Sequence, residues 1–280
     1  MKQHNSSDLL TICFIGFDGY SDLWNDCIDL FHLFWKDCPY RVIFINNSLP
    51  VSFQNVDVIH AGDDAEWSQK VRVALDSVST PYICLLLEDF FLGKKIDTQL
   101  ILKTMDFITK EKIRYYKLVN MNRATKNRDP LFKEQKFLHV IPQSDEYGIS
   151  LQAAIWETGF LSFLLGEGNY NAWMFEFDRV KDANNKPNSP NPGCVFDDRN
   201  ILNLQHAVIQ SKYLPGTIRY FNKLGIRLNV QRDIMSYANY YKIRLISKGK
   251  YILPQSLRKT VKRGLEFLGM KFVSTVRNKP

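Results

Sequence analysis

Two carboxylates close an apolar run in the stretch PYICLLLEDFFLGKK, Pro81 to Lys95: Ile83 to Leu87 lead directly into Glu88 and Asp89, and two phenylalanines follow. Acids at the end of a buried strand must meet water or a positive partner, because burying them unpaired costs several kcal/mol. A divalent cation carrying a diphosphate meets that need. Mg²⁺ and similar hard ions take oxygen ligands, typically one or two carboxylates together with phosphates and water. The plain alternative is a turn or helix cap that happens to be acidic.

Two further segments carry usable chemistry. In FIGFDGYSDLW, Asp18 and Tyr20 follow an apolar strand. An acid there can hold a base or ribose edge and a tyrosine can stack on a ring, whereas a bare Asp-Gly turn would account for Asp18 alone. In DDAEWSQKVRVAL, Lys70 and Arg72 fall in the first turns of a helix opened by Trp67 and Ser68. The backbone N–H groups at such a start attract phosphate. A solvated helix face is the alternative.

The elements that must position these residues alternate. Leu9–Gly16, Arg41–Asn46, Val56–His60, Tyr82–Leu87 and Tyr115–Val119 read as short buried strands. Helices are expected from Ser21 as N-cap, over Trp67–Val78 and over Asp97–Lys110. That order predicts an α/β fold, a mostly parallel sheet with helices on both faces, and the continuous apolar strands agree with a sheet covered on both sides. In such sheets ligands sit outside the carboxyl ends of the strands, where Glu88, Asp89, Asp18 and Tyr20 would lie. Beyond Asn120 the pattern loosens. Asn122–Gln143 reads as a polar excursion, Ile149–Trp156 as a strand, Thr158–Leu165 as a short helix, Lys181–Gly193 as a mobile loop, and Ala207–Gln210 as a last sheet element.

Composition narrows the class. With 280 residues the chain can bury a large core, and it has no apolar run long enough to span a bilayer. The start MKQHNSSD does not read as a signal peptide. The five cysteines are scattered without a CxxC pair and the five histidines show no metal spacing, so neither a zinc site nor a disulfide framework is expected, and a reducing cytoplasm fits. The net charge of +8 is unevenly placed: residues 242–280 carry +10 and the remainder −2. In LPQSLRKTVKRGLEFLGMKFV, residues 253–273, Leu257, Val261, Leu265 and Leu268 share one helical face and Arg258, Lys259, Lys262 and Arg263 crowd the other. Such a basic amphipathic helix suits an anionic membrane surface, and equally a helix packed on the body with a solvated basic face. The slightly acidic body carries no nucleic-acid-binding motif, so no nucleic-acid partner is expected.

Taken in order, TICFIGFDGYSDLW, WSQKVRVAL, YICLLLEDFFL, SLQAAIWE and AWMFEFDR resemble a group of bacterial glycosyltransferases of capsule and O-antigen assembly, over most of Thr11–Arg179. The resemblance implies a GT-A-like fold with residues 1–120 binding a nucleotide-sugar, residues 121–240 binding a saccharide acceptor, and residues 241–280 forming a basic C-terminal helical tail. It implies a Mg²⁺ or Mn²⁺ ion at the strand-end acids. The segment Glu88-Asp89-Phe90 lacks the third acid of a DxD motif, so Asp89 is the expected ligand with Glu88 supporting it. The diphosphate would lie by Arg72. It further implies an inverting mechanism in which Glu176, after a tryptophan in NAWMFEFDR, removes the proton from the acceptor hydroxyl, with Asp178 as rival. Gln152 and Trp156 would line the acceptor pocket, although a buried tryptophan serving the core fits Trp156 as well. A lipid-linked acceptor would make sense of the tail, placing the enzyme at the inner face of the plasma membrane. Two other classes remain open: a metal-dependent nucleotidyltransferase, against which the absence of a basic residue in GFDGYSD counts, and a non-catalytic membrane-surface module.

Overall fold

The computed structural model describes residues 8–119, 130–141, 148–176 and 193–252. Its centre is an eight-stranded sheet in the order β3-β2-β1-β4-β8-β6-β9-β7. The first four strands in that order, β3 (Asp57–His60), β2 (Arg41–Asn46), β1 (Leu10–Ile15) and β4 (Tyr82–Leu87), are mutually parallel. β8 (Ala154–Glu157) lies antiparallel between β4 and β6 (Tyr115–Lys117), β9 (Cys194–Asp197) is parallel to β6, and β7 (Leu138–Val140) closes the edge antiparallel to β9. The mostly parallel α/β sheet with helices on both faces is the architecture expected from the strand pattern.

The period of two places alternate side chains in two cores. On one face Ile12, Phe14, Phe44, Cys84 and Leu86 pack beneath α1 (Trp24–Phe34) and α3 (Thr98–Glu111). On the other, Cys13, Ile15, Ile43, Ile45, Ile83 and Leu85 pack beneath α2 (Trp67–Asp76) and α4 (Thr158–Leu165). The start of α3 follows local chemistry. Asp97 caps α3 by accepting from the Leu100 amide at 3.0 Å. Gly16, just past β1, allows a close approach: a Cβ there would stand 2.6 Å from Cζ of Phe44.

The return to apolar sequence after Asp89 has a structural answer. The chain turns at Glu88 and Asp89, and Phe90–Leu92 forms β5, which pairs antiparallel with β10 (Leu204–His206) in a separate two-stranded sheet. Phe91 is fully buried against Phe221. The final sheet element expected over Ala207–Gln210 is a hairpin of β11 (Val208–Ile209) and β12 (Lys212–Tyr213). The strand expected over Ile149–Trp156 is regular only from Ala154, where pairing with Leu85 and Lys117 begins. Most of the expected loop Lys181–Gly193, and much of the excursion after Asn120, lie outside the described residues.

The chain divides into two compact units, Met1–Asp233 and Ile234–Pro280. The described part of the second includes a helix, Tyr237–Ile252, on which the exposed Tyr237 and Tyr241 rings stack at 6.3 Å. The basic amphipathic segment 253–273 lies outside the described residues. Among the described residues no helix is long and apolar enough to cross a membrane.

Candidate active site

The register of β1 sets which loops meet. Ile15 pairs with Ile45 on one side and Leu87 on the other, so Gly16–Asp18, Asn46–Asn47 and Glu88–Asp89 leave the sheet at one edge. Because β8 runs the opposite way, Gln152 just before it reaches the same edge, as does Lys117 at the end of β6.

Glu88 is buried and accepts the Phe17 amide at 3.2 Å. Burial and the neighbouring Asp89 charge push its carboxyl well above the glutamate range, against the opposing influence of Lys70. Asp89 is partly exposed. Its backbone carbonyl accepts the Ala207 amide at 2.8 Å, which fixes the turn. Burial raises its carboxyl as well, offset in part by its own amide. Neither acid forms an ion pair with a described residue. Two adjacent hard carboxylates, one buried and one partly exposed, with no cation on them among the described residues, are a donor set suited to Mg²⁺ or Mn²⁺. Among the described residues no group of three or more His, Cys, Asp or Glu forms a cage, so such an ion would complete its shell with substrate oxygens and water.

Asp18 binds inward. Its carboxylate accepts the backbone amides of Asn47 (3.0 Å), Ser48 (2.9 Å) and Leu49 (2.7 Å) and the Asn46 side chain (3.1 Å). Burial raises its proton affinity, but those donors outweigh it and hold the pKa below the usual aspartate value. Asp18 thus fixes the loop after β2. Asp18→Ala leaves those donors without an acceptor and is expected to lower stability by about 1–3 kcal/mol, read as a fall in urea midpoint near neutral pH. With a depressed folded pKa, the stabilisation is present above the unfolded pKa and is lost as pH falls through the folded one. The penalty of the variant therefore shrinks in acid. Tyr20 lies under the Arg232 guanidinium at 4.1 Å and meets Ser211 Oγ at 3.3 Å. The Phe17 ring beside it is 53% exposed.

The cation at this edge is Lys70. Its ammonium is buried and donates to the Gly16 carbonyl at 2.8 Å and Asn47 Oδ1 at 2.7 Å. Arg72, two positions on, points elsewhere: it donates to the carbonyl oxygens of Gly166 (3.0 Å) and Gly168. The sequence held a signal that favours Lys70. Trp67, Lys70, Val71 and Ala74 form the buried stripe of α2, and a lysine inside such a stripe needs an acceptor at its tip.

Glu176 reaches the same edge from a distant segment. Its Oε1 accepts the Leu151 amide, beside Gln152, at 2.7 Å. Burial raises its pKa, opposed by that amide and by the Lys117 charge. Gln152 is half-buried, and its Oε1 is shielded from solvent without a hydrogen-bond donor. Trp156 is 1% exposed, with Tyr115 at 4.3 Å and Phe175 at 6.1 Å, so it offers no face to a sugar ring and serves the core. Asp178 lies outside the described residues. His206, one of the five histidines without metal spacing, stands across from Phe90 and so next to Asp89. Burial pushes its pKa down to about 4, keeping the imidazole neutral, and its Nε2 has no partner. No local signal links positions so far apart in the chain. A cavity of about 460 Å³ between α1 and the 52–55 loop contains none of these residues.

No family model matches the chain, and no curated protein matches it. Solved structures do match in part. The crystal structure of S. aureus TarS 1-349 is 11% identical over 55% of this chain and 48% of its own, with a TM-score of 0.39. The same protein in complex with UDP-GlcNAc gives 10% identity, coverage of 82% and 69%, and a TM-score of 0.40. A cytidylyltransferase from Leptospira borgpetersenii serovar Hardjo-bovis gives 11% identity, coverage of 67% and 74%, and a TM-score of 0.40. This chain spans about half the length of the first of these, 48%.

Proposed function

We propose that the protein is an inverting glycosyltransferase that moves a sugar from a nucleotide-sugar donor to a saccharide acceptor, lipid-linked, in the synthesis of a cell-surface polysaccharide of the capsule or O-antigen kind. One observation carries this reading: a second, separate carboxylate, Glu176, is brought to the sheet edge that already holds Glu88 and Asp89. A cation-diphosphate site and a general base need two such acids, neither serving the other's purpose. In this reading the nucleobase lies by Tyr20 on the loop that Asp18 holds in place, and Lys70 supplies positive charge beside the diphosphate, in the place first expected of Arg72. A divalent cation on Asp89, with Glu88 beside it, would neutralise charge on the departing diphosphate. Gln152 offers a free acceptor to a hydroxyl, and Glu176 removes the acceptor's proton as its oxygen attacks the anomeric carbon. The tail, residues 253–273, would bring the enzyme to an anionic membrane surface at the cytoplasmic face of the plasma membrane.

Lys70 also favours a second reading. A nucleotidyltransferase needs positive charge at the loop after the first strand, and Lys70 brings it there from α2 although the loop has none of its own. Incubation with UDP-, GDP-, CDP- and dTDP-sugars, and separately with nucleoside triphosphates and sugar phosphates, decides between them. Release of nucleoside diphosphate is expected, whereas pyrophosphate release would establish the second reading and overturn the first.

A further inference from the structure

We infer that the cavity between α1 and the 52–55 loop is a binding site for a neutral saccharide of disaccharide size, separate from the sheet-edge site and independent of the activity proposed for it. Its volume of about 460 Å³ lies within the range of small-molecule sites. One wall is a stripe of α1. Asn25, Ile28, Asp29 and His32 fall at helical spacing on one side of the helix and line the cavity, and Lys36 follows just past its end. The stripe of Trp24, Cys27 and Phe31 packs instead in the core.

The opposite wall is fixed in place. Phe53 bridges to Val56, and its ring meets that of Phe44 at 5.2 Å. Asn55 holds a left-handed φ of 54°, a conformation that asparagine tolerates better than most residues. A cavity between a packed helix and a braced turn is formed before any guest arrives.

The lining identifies the guest. Asn25, Ser52, Gln54 and Asn55 can each donate and accept a hydrogen bond, and among the described residues none of these side chains bonds to the protein. His32 lines the same cavity, and its Nε2 is shielded from solvent without a hydrogen-bond partner, where a buried polar atom ordinarily has one. A turn of the ring about χ2 lets a guest hydroxyl supply it. Asp29 and Lys36 offer one charge of each sign, so neither sign of ligand is selected. The C-terminal end of α1, beside His32 and Lys36, carries partial negative charge, which disfavours a phosphate or a nucleotide. Ile28 and Phe53 add an apolar strip. A neutral molecule dense in hydroxyl groups, with one C–H face, matches these features together, and that is the chemistry of a saccharide. From Asn25 to His32 the helix rises about 10 Å, room for two sugar rings.

The full chain labelled with ¹³C-histidine tests this by NMR of the imidazole C–H groups at constant pH. His32→Gln and His206→Gln assign those two resonances, each by loss of one of the five histidine signals. Titration with lactose, cellobiose, maltose and N,N′-diacetylchitobiose is expected to move the His32 resonance saturably with at least one of them, and UDP is expected to leave it in place. Asn55→Gly combined with Gln54→Ala keeps the left-handed turn and removes two amides. It should weaken the effective disaccharide roughly tenfold, the scale of one or two lost hydrogen bonds, with urea unfolding as the check that the fold is kept. A His32 resonance that none of the four moves overturns the inference. So does a shift confined to His206 at the sheet edge, a shift of His32 produced by UDP alone, or an affinity that the double variant leaves unchanged.

Discussion

Asp89→Asn is expected to lower sugar transfer by roughly a hundredfold to a thousandfold, the scale seen when one preorganised charge-stabilising group is removed, and to leave the protein more stable than the native chain at neutral pH. Both effects have one cause. The Asp89 carboxylate is held beside that of Glu88 with no cation on it among the described residues, and burial raises the proton affinity of both. A carboxyl whose folded pKa is raised contributes stability below its unfolded pKa and loses that contribution as pH rises through the folded value. At neutral pH the native protein therefore carries the cost of holding two acids whose proton affinity folding has raised, and a neutral amide in place of Asp89 removes that residue's share of it. The gain should be on the order of 1 kcal/mol, a rise in Tm of a few degrees, and should shrink as pH falls toward the ordinary carboxylate range. Thermal unfolding in the presence of chelator measures it without interference from bound metal. Nucleoside diphosphate with Mn²⁺ should stabilise the native protein and leave the variant unmoved. Unchanged turnover would remove Asp89 from donor binding, and loss of activity together with stability would make it a structural carboxylate.

The parallel half of the sheet was legible because each strand is a continuous apolar run ending on a polar break. β2 and β4 begin and end where the sequence places them, and β1 loses one residue at each end. The same break located Glu88 and Asp89. The small two-stranded sheets were less legible: β5, β10 and β12 span two or three residues each, too short to show a period, β10 pairs with β5 across more than a hundred positions, and only β11 falls in the element expected over Ala207–Gln210. Within the site, what failed was direction rather than place. Lys70 and Arg72 sit on one helix, but only contact with Gly16 and Asn47 shows which of them faces the strand ends. Trp156 reads equally as a sugar-stacking face or a core residue, and only its pairing between Ile83 and Tyr115 shows that it is buried. Asp18 reads as an Asp-Gly turn or a ligand contact, and the amides it binds follow a different strand.

Glu176→Gln separates a general base from a merely placed acid. The amide oxygen of glutamine can still accept the Leu151 amide, so the segment should keep its position, but it cannot take a proton. A loss in kcat of roughly 10² to 10⁴ is expected, the usual contribution of a positioned base, with little change in acceptor KM. The pH profile gives the sharper test. Burial holds the Glu176 pKa above the ordinary glutamate value even though the Leu151 amide and Lys117 oppose it. A base must be ionised to act, so native kcat should fall as pH drops through that raised pKa, and this acid limb should be absent from the variant's residual rate. Stability should move the other way. Because the folded state favours the protonated acid, Glu176 destabilises the native fold at neutral pH relative to acid, so the variant should equal or exceed native Tm at neutral pH, with the difference closing as pH falls. An acid that only held the Leu151 loop would leave both the rate and the acid limb of the variant as they are in the native protein. Product stereochemistry adds an independent check: direct displacement assisted by Glu176 inverts the anomeric carbon, so a product that retains the donor's configuration would remove the base from this side of the sugar whatever the rate of the variant.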